Sequence, residues 1–98
     1  MLSHTGIKEQ VQDEICRFAE KYQLKQVILF GSRARGDYRI NSDIDLAVSG
    51  GNIIRFALDV DEETSTLLKY DVVDLGKNIS PELRGSIEQE GRVLYEKI

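Results

Sequence analysis

In the first quarter of the chain Ile7, Val11, Ile15, Phe18, Ala19 and Tyr22 recur at spacings of three and four, with Lys8, Glu9, Asp13, Glu14 and Arg17 between them. That spacing gathers the apolar positions into one stripe and predicts an amphipathic helix over 7–22. Val27-Ile28-Leu29-Phe30 is a continuous apolar run, too short for a helix and stopped by Gly31, and so reads as a buried strand. From Asp43 to Val48 polar and apolar residues alternate until Ser49-Gly50-Gly51, which predicts a second strand with Ile44, Leu46 and Val48 turned inward. Ile53, Ala57, Val60, Thr64, Leu67 and Leu68 return to helical spacing and predict a helix over 52–68 with Asn52 as its N-cap. Tyr70-Asp71-Val72-Val73-Asp74-Leu75 follows as a third strand. Ser80-Pro81-Glu82-Leu83 sets a capping hydroxyl, a first-turn proline and a first-turn carboxylate in helix-starting order, and Gly91 supplies a stop. Val93-Leu94-Tyr95 reads either as a short terminal strand or as a frayed end.

This order predicts an α/β (α+β) architecture, a small mixed sheet with helices packed on one face, leaving the other face for chemistry. A length of 98 residues suits a single domain over 1–98. With 41% apolar and 31% charged residues the composition is that of a folded globule rather than a disordered chain. A net charge of −4 with no Lys/Arg run argues against nucleic acid as a partner, since a phosphate backbone is gripped by clustered cations. Cys16 is the sole cysteine, which rules out an internal disulfide and a four-cysteine zinc site and fits a reducing, cytoplasmic setting. No membrane span or export signal is expected, because no apolar run approaches about 18 residues. Cys16 is expected at the edge of the helical stripe, His4 in a terminal tail, and Tyr22, Tyr38, Tyr70 and Tyr95 in packing roles, with Tyr38 alone in a position near possible chemistry.

That chemistry is concentrated between Gly31 and Asp45. Asp43 and Asp45 are two apart on a strand, so their carboxylates leave one face with α-carbons about 6.5–7 Å apart. Like charges at this distance repel, and a hard divalent cation with oxygen ligands relieves them. Gly31-Ser32, after a strand and before a polar turn, offers backbone amides and a hydroxyl to an anion. On a helical turn Ser32 and Arg35 share a face, which makes Arg35 the first candidate for a phosphate contact and Arg33 the second. Taken singly, the aspartate pair is as readily a solvated strand face and the turn an ordinary one.

Together they form a longer pattern: Gly31-Ser32, ten residues, then Asp43-Ile44-Asp45. This closely resembles the signature of the DNA-polymerase-beta-like nucleotidyltransferases, and GSRARGDYRINSDIDLAV is similar to the minimal bacterial and archaeal branch of that superfamily. The resemblance implies a two-metal Mg2+ site on Asp43, Asp45 and a third carboxylate, with ATP as nucleotide donor. Asp71 matches the third acid in such proteins better than Asp74, which lies three residues on and so faces the other side of the strand. Gly31, Ser32, Arg33, Arg35 and Ser42 form the implied nucleotide-holding set. The implied reaction is transfer of AMP to a hydroxyl, with a tyrosine of a HEPN-type helical partner as acceptor and the chain as antitoxin; larger relatives add a segment for the second substrate, which this chain is expected to lack. A silent module that masks its partner by contact, and a transferase acting on a small molecule such as an aminoglycoside, stand as alternatives.

Overall fold

The computed structural model describes residues 1–98 as α1 (Glu9–Lys21), β1 (Gln26–Phe30), α2 (Ser32–Arg35), β2 (Ile44–Ser49), α3 (Ile53–Glu63), β3 (Tyr70–Asp74), α4 (Pro81–Glu90) and β4 (Arg92–Glu96). The sheet runs β3-β2-β1-β4. β1 pairs antiparallel with both β2 and β4, while β2 and β3 run parallel because α3 carries the chain back between them. The terminal segment is therefore a strand and not a frayed end: Leu94 and Tyr95 pack against the core, and the Lys97 amide donates to the Lys25 carbonyl at 2.8 Å.

Ile44, Leu46 and Val48 are fully buried, as the alternation predicts, and pack with Val27 and Leu29 against Val11, Ile15 and Ala19 of α1 and Phe56 and Val60 of α3. The predicted one-sided arrangement holds for these two helices. α4 departs from it and lies across the opposite face, where Ile87 and Leu83 cover Phe30 and Ala47. The cause is visible in the composition of β1: an unbroken apolar run puts side chains on both faces, and both must be covered. α4 does not cover all of that second face: Asp71, beside Asp45, and Val93, paired with Ile28, stay exposed on it.

α3 stops at Glu63, short of the predicted Leu68. Its last turn holds Asp61, Glu62 and Glu63 and no cation, which opposes the helix dipole. Thr64 hydrogen-bonds both the Val60 carbonyl and the Tyr70 hydroxyl, and the Glu14 carboxylate accepts from the amide and hydroxyl of Ser65, each at 2.7 Å. The chain is drawn out of the helix there, and Leu67 ends fully exposed despite its helical spacing. At the other end Asn52 caps α3 as expected, its side-chain oxygen accepting from the Arg55 amide at 3.2 Å. Asn52→Ala should therefore lower stability by about 1 kcal/mol, read as a shift in the urea midpoint with unchanged slope.

Candidate active site

The site is assembled where β1 ends and β2 and β3 begin. Asp45 sits in β2 with Phe30 of β1 as its register partner on one side and Asp71 of β3 on the other. Residues 44, 46 and 48 face α1 and α3, so alternation turns Asp45 to the other face, and parallel register brings Asp71 beside it. Asp43 precedes β2 by one residue and continues the same alternation. Asp74, by contrast, is level with Val48, and its carboxylate accepts from the Gly76 amide at 2.8 Å within a turn. Of the two predicted candidates for a third acid, the structure brings Asp71 to Asp45 and leaves Asp74 elsewhere.

The Gly31 turn faces this cluster. Gly31 has φ +75°, and a β-carbon placed on it would stand 2.2 Å from Oδ2 of Asp45. Glycine is thus required twice, by the left-handed backbone and by the carboxylate against it. The Gly31 carbonyl accepts from the amides of Ala34 and Arg35, each at 3.1 Å, so α2 starts directly after the glycine that packs on Asp45.

The electrostatics register the crowding. The Asp45 carboxyl is pushed up to about 6, first by its burial and then by the charges of Asp71 and Asp43, while Arg35 pulls it down. No three acidic, histidine or cysteine side chains stand close enough to make a closed cage for a metal. The donors form instead an open cluster of hard oxygens around one unfavourably charged carboxylate. That set fits magnesium, which takes one or two protein carboxylates and completes its shell from water and substrate phosphate.

The two arginines of α2 part company, and only the first-ranked one, Arg35, stays accessible. Arg33, predicted as a phosphate contact, is only 1% exposed and points away from the acidic cluster's surface into the protein. Its Nε donates to the Ser42 carbonyl at 2.9 Å, Nη1 to Thr5 at 2.9 Å, and Nη2 to Ile40 at 3.2 Å and Arg39 at 3.4 Å. Its guanidinium carbon also lies 4.9 Å from the centre of the Tyr38 ring. Every nitrogen is occupied by the backbone, so Arg33 is a tie between α2, the N-terminal segment and the loop leading to Asp43. Arg35 remains exposed, in ion pairs with Glu90 at 2.8 Å and Asp37 at 3.2 Å. Ser42 is likewise a loop-building residue, its hydroxyl accepting from the Arg39 amide at 2.8 Å. The sequence gives no sign of the roles of Thr5, Gly6 and Tyr38 in holding Arg33; the one available hint is the position of Tyr38 between the turn and Asp43. Cys16, half-buried against the Leu94 carbonyl, has its thiol pushed up by desolvation and then by Asp13, which suits a packing role.

A glycine-serine turn packed on an acidic strand pair, in a mixed sheet covered by helices, offers the hard oxygens and the helix-start amides that a metal-bound phosphate group requires. The chain belongs to the nucleotidyltransferases of the Polymerase beta family, whose family model matches residues 13–98, and it is a nucleotidyltransferase. Over 99 residues it is 35% identical to a Methanocaldococcus jannaschii chain named as a protein adenylyltransferase, covering 90% of this chain and 97% of that one. It superposes with a TM-score of 0.70 and 26% identity on a toxin–antitoxin structure solved with AMP-PNP, covering 88% of this chain and 73% of the other. A structure described as a minimal nucleotidyltransferase matches with a TM-score of 0.63 and 26% identity over 83% of this chain and 86% of that one. No helix here is long and apolar enough to cross a membrane.

Proposed function

We propose that the chain is a magnesium-dependent protein adenylyltransferase of antitoxin type, which moves AMP from ATP to a tyrosine hydroxyl of a HEPN-type helical partner. The observation that supports this reading is the pairing of Asp45 with Asp71 in register, with Gly31 packed on the Asp45 carboxylate and the charge of Asp43 felt there as well. The protein adenylyltransferase name of the archaeal relative and the toxin–antitoxin assembly bound to AMP-PNP support the donor and the kind of acceptor.

In this reading Asp43 and Asp45 hold the cations and Asp71 completes the set, while the Ser32 hydroxyl and the amides of its turn take the outer phosphates. Arg35, exposed at the rim, adds positive charge beside them. The acceptor oxygen forms a bond to the α-phosphorus as the bond to the β-phosphate bridge breaks, pyrophosphate leaves, and the hydroxyl proton passes to a carboxylate of the cluster. Bound magnesium supplies Lewis-acid charge at the phosphates.

The test is incubation of the full chain with ATP labelled at the α-phosphorus, magnesium chloride and the protein encoded beside it. Label should appear on a tyrosine of that protein and vanish on chelation. A folded complex of the two that stays unlabelled would show masking by contact alone and overturn the reading.

A further inference from the structure

The exposed cation beside the acidic strands is held by a distant part of the chain. α4 lies across the sheet face that carries Asp45, with Ile87 covering Phe30, the register partner of Asp45. Glu90 is three residues beyond Ile87 and so shares its face of the helix. Gly91 then seats the helix end on β1, where a β-carbon would stand 2.6 Å from Cγ2 of Ile28. Packing thus sets the position of Glu90, and its carboxylate reaches α2, where Oε2 accepts from Nη1 of Arg35 at 2.8 Å.

Arg35 is anchored twice, because its Nε also donates to Asp37 at 3.2 Å. A guanidinium is a rigid planar fork, so two anchors fix its plane. They use two of its five N–H groups and leave Nη2 without a protein partner, so a phosphate can be met without releasing either carboxylate. The charge held in this way is felt at the Asp45 carboxyl, which it pulls down against the push of Asp71 and Asp43. For the helix itself Glu90 is poorly placed: the last turn of α4 has no cation, and a carboxylate at a helix C-terminus opposes the dipole. A partly exposed ion pair returns little stability, so the contact serves the orientation of Arg35 more than the fold.

We propose that Glu90 is a positioning residue for nucleotide binding, which fixes the Arg35 guanidinium from α4, together with Asp37, so that the free Nη2 edge meets the outer phosphates of the triphosphate. This role rests on the reading of Arg35 as a phosphate contact and extends the site to a residue outside the turn and the acidic strands. A carboxylate that instead competed with the phosphates for Arg35 would have the opposite sign: an orienting group tightens ATP binding and a competing one weakens it.

The test is calorimetric titration of the full chain with magnesium ATP, which needs no acceptor, with circular dichroism and urea midpoints as the control for folding. Glu90→Ala should leave the midpoint near the parent's and raise Kd for ATP about fivefold or more, the loss expected when a charge-assisted contact is no longer aimed. Glu90→Gln, which keeps an acceptor oxygen without the charge, should recover part of that loss. In competition experiments Glu90→Ala should weaken magnesium pyrophosphate by the same factor and leave AMP within about twofold of the parent. In an Arg35→Ala background Glu90→Ala should add nothing, as expected of a residue that acts through another. An unchanged Kd in folded Glu90→Ala protein overturns the proposal, a lower Kd overturns it in favour of a competing carboxylate, and losses that add in the double variant overturn it because Glu90 then acts independently of Arg35. A parent chain that binds no magnesium ATP fails the nucleotide reading itself, a result separate from all of these.

Discussion

Asp45→Asn should lower nucleotide transfer by a factor of about 10³ or more and, in the same protein, raise stability in the absence of divalent cations. The activity loss follows from removing the carboxylate that lies between Phe30 and Asp71 in register and against Gly31, since an amide oxygen holds a hard dication less well and several kcal/mol of transition-state stabilisation correspond to losses of about this size. The stability gain follows from the raised pKa. An aspartate normally near 3.8 that sits at about 6 in the fold is stabilised by protonation, so the folded state binds more protons than the unfolded one between those values. Stability therefore falls as pH rises from about 4 to about 6, and the whole cost is present above that window. Because Asp45 is only partly buried, solvent screening reduces the cost to about 1 kcal/mol. The check is a set of urea midpoints at pH 4.5 and 7.5 in chelator, beside a labelling assay: the parent should lose stability across the interval, the variant less so, and added magnesium should raise the parent at pH 7.5 and not the variant. Equal pH slopes in the two proteins would remove the carboxylate cluster as the source of the strain.

Much of this site can be read from the sequence because it depends on local periodicity. Asp43 and Asp45 share a face for any strand, and Gly31-Ser32 must turn wherever the apolar run stops. Strand parity says only that Asp71 and Asp74 cannot both serve, and the preference for Asp71 comes from the family resemblance; the structure adds the register that sets Asp71 beside Asp45. What could not be read depends on contacts between segments distant in the chain. The exit of the chain from α3 at Thr64 is set by Glu14 reaching Ser65 across 51 positions, so helical spacing alone extends the helix too far. The position of α4 depends on which sheet face has apolar area left uncovered, and this is fixed only once α1 and α3 have taken theirs. The two arginines of α2 are the sharpest case. Both are cations within four residues of the turn, and nothing local distinguishes the one that meets the carbonyl of Thr5, 28 positions earlier, from the one that meets Glu90.

That distinction gives the largest expected effect on stability. Arg33→Ala should destabilise the fold by about 3 kcal/mol, because the buried Thr5 carbonyl and the part-buried carbonyls of Ser42 and Ile40 each lose a charged donor. Against a total of about 5–15 kcal/mol for a domain, this moves the protein toward partial unfolding near body temperature. Arg33→Lys tests the geometry rather than the charge. One ammonium cannot reproduce a planar fork donating in three directions, and it does not stack on Tyr38 as a guanidinium does. A β-carbon on neighbouring Gly6 would stand 2.4 Å from the Tyr38 ring and 2.7 Å from Nη1, so the surroundings are closely fitted to the guanidinium. Lysine should recover only part of the stability, and transfer at temperatures where the variant is fully folded should remain reduced, since the loop that delivers Asp43 to the turn has lost its fastening. Arg35→Ala is the opposing control: its exposed ion pairs are screened by water, so the denaturation midpoint should match the parent while KM for ATP rises. Denaturant melts and paired nucleotide kinetics on the three variants separate the roles, and a stable Arg33→Ala protein with parental activity would show that the buried tie is dispensable to the site.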